Sequence, residues 1–215
     1  MHRKFLAEGV GTLILVMCGI GTGIMGVNLA SGNMAIVLFA NAFATGLTLY
    51  LLITILGPLS GAHMNPAVTL FFALRREISV PLALGYVAAQ AIGALLSVAL
   101  THGMFGLDIL QLAATPRAGA ALWLSEGVAT FGLMFTILGG QRHAPAQVPA
   151  LVGAWIAAAF WFTGSASFAN PAVTLARAFS DTFTGIRLAD APAYMAAEFA
   201  AAVIAAWILP KLFSR

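Results

Sequence analysis

The sequence predicts an all-α membrane protein: six transmembrane helices plus two re-entrant half-helices, arranged as an inverted repeat. Three observations carry that prediction. Of 215 residues, 61% are hydrophobic and only 8% are charged, whereas a soluble domain carries about 25% charged residues. The tripeptide Asn-Pro-Ala occurs twice, as Asn65-Pro66-Ala67 and Asn170-Pro171-Ala172, and each copy continues into Val-Thr-Leu. Other landmarks recur in the same order in the two halves of the chain.

A helical span needs roughly 20 apolar residues, and apolar runs near 5–27, 34–56, 81–101, 121–140, 148–164 and 190–210 supply six. The first run follows Arg3 and Lys4 and extends from Phe5 to Val27. That is too long for a signal-peptide core, so it is read as a span. The segments 61–76 and 165–181 are too short to cross and too apolar for ordinary loops, which makes each a re-entrant half-helix. Asn is a strong N-cap and Pro suits the first helical position, so each Asn-Pro marks a helix start at membrane depth. Each start carries free amide N–H groups and a positive dipole end. Such an end survives there only when buried in protein or lining an aqueous cavity.

The halves, about 1–105 and 120–215, form one transmembrane channel domain built by duplication. Ala7-Glu8-Gly9-Val10-Gly11-Thr12 matches Ser125-Glu126-Gly127-Val128-Ala129-Thr130, and Tyr86-Val87-Ala88-Ala89-Gln90 matches Tyr194-Met195-Ala196-Ala197-Glu198. Three spans per half is an odd number, so the second copy enters from the opposite face and the broken helices meet at the midplane. Arg3, Lys4, Arg75, Arg76, Arg142, Lys211 and Arg215 fall on one side; Arg117, Arg177 and Arg187 fall on the other. The positive-inside rule then places both termini in the cytoplasm. Most of the glycines in the spans (Gly9, Gly11, Gly19, Gly21, Gly23, Gly85, Gly93, Gly127, Gly132) are expected at close helix contacts.

The remaining composition excludes other classes. The formal charge of +3 is spread over short loops, which is no nucleic-acid surface. The single cysteine, Cys18, forms no internal disulfide and reads as a small buried hydrophobe. No nucleophile–base constellation or metal-ligand spacing stands out, so neither an enzyme nor a cofactor is implied. His2, His63, His102 and His143 are scattered. His102 and His143 lie near span ends, as solvated loop residues or as pH-responsive groups.

Gly61-Ala62-His63-Met64-Asn65-Pro66-Ala67-Val68-Thr69, the second Asn-Pro-Ala, the two Glu landmarks and Ala88-Ala89-Gln90 resemble the aquaporin (major intrinsic protein) superfamily over nearly the whole chain. The resemblance implies an aquaporin-like bundle, a homotetramer with one pore per subunit, and passive flow of water or small uncharged solutes. An asparagine amide has two N–H donors; Asn65 and Asn170 facing one another would donate to a passing oxygen and interrupt a proton relay. The unwound stretches before them would offer backbone carbonyls at Gly61, Ala62, His63, Ser165 and Phe168. By the same resemblance, Glu8 and Glu126 brace the two loops; the competing reading makes them, with Glu198, proton sites of a coupled transporter. Glu198 stands where Gln90 predicts a glutamine, either protonated or paired near a lipid or subunit interface.

The sequence departs from the family at its selectivity filter. In most aquaporins the residue three past the second Asn is Arg; here it is Val173. Thr45 and Ser167 fill two further positions, and the fourth is Ile156 or Ala158, with Ile156 preferred because loops absorb insertions more readily than helices. Thr45, Ile156, Ser167 and Val173 would form a wide, mildly apolar constriction for solutes larger than water. A mainly water-selective pore is the alternative. Ser167 through Ile186 resembles a bacterial, aquaglyceroporin-like subgroup associated with arsenic detoxification, which implies glycerol-like polyols and metalloid hydroxides such as arsenous acid as candidate permeants. Localisation in the cell's inner (plasma) membrane follows from the same reading. Arg177, one helical turn past Val173, either supplies charge to the outer vestibule or pairs with Asp181.

Overall fold

A computed structural model describes residues 1–213; Arg215, counted above among the basic residues of one side, lies outside them. The helices are α1 (His2–Leu29), α2 (Met34–Ser60), α3 (Pro66–Leu74), α4 (Val80–Phe105), α5 (Ala120–His143), α6 (Val148–Phe162), α7 (Pro171–Arg177) and α8 (Ala191–Leu212), with one 3-10 turn at Pro145–Gln147 before α6. Among the described residues, six segments are long and apolar enough to cross a membrane: α1, α2, α4, α5, α8, and α6 together with its preceding turn (Pro145–Phe162). Large apolar side chains point outward where lipid would lie, among them Leu6, Leu84, Leu124 and Trp207.

Local sequence explains the ends. Asn33 caps α2 by accepting from the backbone N–H of Ala35 and Ile36. Gly61 ends α2 at φ +92°, a left-handed conformation suited to glycine. The short helices begin alike: Asn65 accepts from Ala67 N and Val68 N, Asn170 from Ala172 N and Val173 N, and Pro66 and Pro171 occupy the first helical position.

In the first half, α1 packs on α2 and α4; in the second, α5 packs on α6 and α8. Across the halves α2 meets α6, α3 meets α8 and α4 meets α7. Two crossings depend on missing side chains. A Cβ on Gly93 would run into the carbonyl of Gly9 in α1, and one on Gly153 into the carbonyl of Gly46 in α2. These contacts let backbones approach where lipid offers no hydrophobic drive to association. Gly127 is an exception to the expected packing role, with open space around it, and Cys18 is only half-buried, accepting from the Thr48 hydroxyl at 3.2 Å. The main apolar core lies around α3 and between α2, α5, α6 and α8, with Leu52, Phe71, Met134 and Leu209 near its centre.

Candidate functional site

α3 and α7 approach head to head and are tied across their starts. Asn65 Nδ2 donates to the carbonyl of Ala169 at 2.7 Å, and Asn170 Nδ2 donates to the carbonyl of Met64 at 2.8 Å. Each Asn side chain thus caps its own helix through Oδ1 and secures the opposite loop with one N–H. Of two amide donors, one remains for a solute. Both asparagines line a cavity of about 100 Å³, room for several waters at roughly 10–15 Å³ each.

The cavity is lined by Gln141, Ile137, Val148, Ile53, Leu49 and Phe72, by both asparagines, and by Val173 and Arg177. Gly61, Ala62, His63 and Met64 of one loop and Ser167, Phe168 and Ala169 of the other also line it. Ala62, Met64, Ala166, Ser167 and Ala169 hold φ between +47° and +60°. Left-handed conformations at non-glycine residues cost energy and cluster at functional sites. Ser165 does not line the cavity, contrary to expectation. Its hydroxyl accepts from Ser167 N at 3.2 Å, and its carbonyl lies 3.5 Å from Nη1 of Arg117, so it serves the loop's outer support instead.

Buried carboxylates hold the strained loops. Glu8 accepts from His63 N (2.9 Å), Met64 N (2.6 Å), the Ser60 hydroxyl (2.6 Å) and Gln90 Nε2 (2.8 Å). Glu126 accepts from Phe168 N (3.0 Å) and Ala169 N (2.7 Å). Glu198 accepts from Asn170 N (3.1 Å) and the Thr174 hydroxyl (2.8 Å) through Oε1, and its buried Oε2 has no hydrogen-bond partner. It is fully buried inside the bundle rather than near lipid or a subunit interface. None of the three carboxylates lines the cavity.

His63 braces its loop, with Nδ1 3.2 Å from the Thr69 hydroxyl and its ring stacked on Phe72. His102 is not a solvated loop residue: it is fully buried, with Nε2 2.9 Å from the Ser180 hydroxyl and Nδ1 3.0 Å from the Asp108 carbonyl. His143 is exposed.

Thr45, Ile156, Ser167 and Val173 all line the cavity. Ala158, the other reading of the fourth position, is exposed on α6 and does not line the cavity. Arg177 lines the same cavity with its guanidinium 4.2 Å from the centre of the Phe168 ring. It does not pair with Asp181, whose carboxylate accepts from Ala114 N at 2.9 Å.

Sequence reading missed Arg117. Its guanidinium donates to the carbonyls of Gly185 (2.8 Å) and Phe183 (3.3 Å) and covers the other part of the Phe168 ring at 5.1 Å. Its backbone N–H donates to Asp190, which Arg187 also grips through two nitrogens. Those contacts, the Arg187 bond foremost, hold the Asp190 carboxyl below its usual range; burial lowers the Arg117 guanidinium from its ordinary value. The partners are peptide carbonyls far along the chain, so no local motif announced them.

Two half-helices meeting inside a ring of membrane spans, with a continuous polar-and-apolar cavity between them, define a multi-pass membrane channel. The family follows from comparison: a model of the major intrinsic protein family matches residues 1–167, and the chain belongs to that family. It is 51% identical over 205 residues to the aquaglyceroporin AqpS of Rhizobium meliloti strain 1021, covering 95% of this chain and 88% of the relative. It is 31% identical over 235 residues to the probable aquaporin AqpM of Archaeoglobus fulgidus, covering 97% and 96%. The X-ray structure of the aquaglyceroporin from Plasmodium falciparum shares the fold, with a TM-score of 0.73 at 17% identity over 99% of this chain and 98% of that one. The chain is a channel and not an enzyme.

Proposed function

We propose that this channel passes water and small uncharged polyhydroxy solutes down their gradients, glycerol-like polyols and metalloid hydroxides such as arsenous acid among them. The observation that carries the proposal is the ring formed by Thr45, Ile156, Ser167 and Val173, which line the cavity without a charged side chain among them. Val is shorter than Arg and donates nothing, so the constriction is wide and mildly apolar, and a solute carrying a carbon or metalloid centre fits there. The aquaglyceroporin identity of the AqpS relative supports the same solute class.

Conduction rests on the asparagines. With one N–H of each committed across the pore, each amide keeps one donor for a solute oxygen. An oxygen held between Asn65 and Asn170 accepts from both and turns its own hydrogens along other directions, which breaks a proton file. The two halves, 1–105 and 120–215, act as an inverted repeat within one domain. The protein resides in the inner membrane with both termini cytoplasmic, since Arg3, Lys4, Arg75, Arg76, Arg142 and Lys211 weight that side. It assembles as a homotetramer with one pore per subunit.

Stopped-flow light scattering on proteoliposomes, with water, glycerol and arsenous acid run side by side, tests the solute range. Passage of all three is expected. Passage of water alone would establish the water-selective alternative, and uphill accumulation driven by a proton gradient would establish a coupled transporter.

A further inference from the structure

We propose that Arg177 and Ser167 form an outer solute site in which the pore's fixed positive charge is separated from its constriction by one helical turn. The inference rests on the channel reading and concerns which residues contact the solute beyond Val173.

Arg177 is 5% exposed, and its Nε finds no hydrogen-bond partner in the protein. An arginine this buried ordinarily meets a carboxylate or several carbonyls. Every carboxylate within reach is engaged elsewhere: Glu126 with Phe168 N and Ala169 N, Glu198 with Asn170 N and Thr174, Asp181 with Ala114 N. Peptide carbonyls nearby, at Gly185 and Phe183, are taken by Arg117. The guanidinium is instead fixed by shape. It lies over the Phe168 ring and packs beside Gly19 of α1, with Nη2 3.4 Å from where a Cβ there would sit.

A second orphan lines the same cavity. The Ser167 hydroxyl is 2% exposed as a residue and also has no partner. Two unsatisfied polar groups of complementary character therefore border one space: a donor-only guanidinium and a hydroxyl that both donates and accepts. A neutral molecule with two or more hydroxyl groups satisfies both, accepting a hydrogen bond from Arg177 at one oxygen and donating one to the Ser167 hydroxyl through another. Val173, between them along the chain, supplies an apolar wall for its centre. A cation gains nothing there and meets an uncompensated charge in a low-dielectric wall. Charge and width, which a filter arginine would fix together, are set here by different residues.

The test uses reconstituted channel with glycerol flux read by light scattering and cation leak read by a pH-sensitive dye under a potassium diffusion potential. Arg177→Gln is expected to lower glycerol permeability about tenfold, the scale of one lost charge-assisted hydrogen bond, and to raise the leak. Val173→Arg combined with Arg177→Gln is expected to restore cation exclusion while keeping glycerol flux low. Ser167→Ala is expected to lower glycerol flux without a leak, and Asp181→Asn to change neither readout. An Arg177→Gln channel with wild-type glycerol flux and no leak would overturn the proposal, as would a leak that Val173→Arg leaves in place. Should Arg177→Gln fail to assemble, Arg177→Lys decides: exclusion retained with reduced glycerol flux supports the site, and a leak refutes it. If wild-type channel passes no glycerol, the solute range proposed above fails, while the leak measurements still judge Arg177.

Discussion

Glu198→Gln should leave the channel intact, whereas Glu198→Ala should cripple it. The carboxyls of Glu198 and Glu126 serve successive backbone amides of one loop, Phe168 N, Ala169 N and Asn170 N. Burying two carboxylates beside one loop is costly unless their oxygens are well used. The first half places an amide at the matching position: Gln90 Nε2 donates to Glu8 at 2.8 Å and to the Thr69 hydroxyl at 3.0 Å. A glutamine at 198 can donate its N–H to Glu126 and turn its oxygen to Asn170 N and Thr174, reproducing every bond. Alanine strips the acceptor from two buried donors, Asn170 N and the Thr174 hydroxyl. At about 1–3 kcal/mol for each unsatisfied group, the loss is about 2–6 kcal/mol, before any cavity term. Thermal unfolding in detergent followed by thiol-reactive dye or tryptophan emission reads this directly, with solute flux as a second measure. Equal damage from Gln and Ala would refute the view that Glu198 serves as a hydrogen-bond acceptor that an amide can replace.

Val173→Arg should narrow the ring and place a second guanidinium one turn inside Arg177, reducing glycerol flux more than water flux; an equal reduction of both, measured by stopped flow, would contradict the filter assignment. Gly93→Leu should destabilise the fold by forcing α4 away from the Gly9 carbonyl, seen as lower yield and melting temperature, whereas Gly127→Ala should be neutral because open space surrounds it. Asp190 gives a pH dependence. Its folded-state carboxyl is held below the ordinary value of about 4, so its contribution is full above that value and disappears as pH falls through the lower, folded one. Asp190→Asn should flatten the acid limb of melting temperature against pH, and an unchanged limb would place the acid sensitivity elsewhere.

Much of this architecture was legible because its signals are local. Asn65-Pro66 and Asn170-Pro171 state a helix start in two residues, and the matched Glu8 and Glu126 place a brace beside each loop. Span boundaries came out short by several residues at some ends, as at α2, which continues through Pro58 to Ser60. The losses are nonlocal. Ser165 sits two residues before the wall begins, and only the position of Arg117, 48 residues earlier, turns its carbonyl away. Whether Ile156 or Ala158 faced inward depended on helix phase, which an ambiguous loop length could not fix. Glu198 was unaccountable until Glu126 and Asn170 were seen on either side of it. His102 looked like a span-end residue, and its partners Ser180 and Asp108 come from loops that fold back over α4.

The crossed bonds of the two asparagines also bear on biosynthesis. Asn65 reaches a carbonyl 104 residues ahead, and Met64 awaits an amide 106 residues away. While the second half is still being made, the first carries a helix start, a left-handed loop and an unpaired carbonyl already committed to the membrane. The Met64 carbonyl meets its partner only once residue 170 is in place, so the second half completes hydrogen bonding that the first half cannot complete alone.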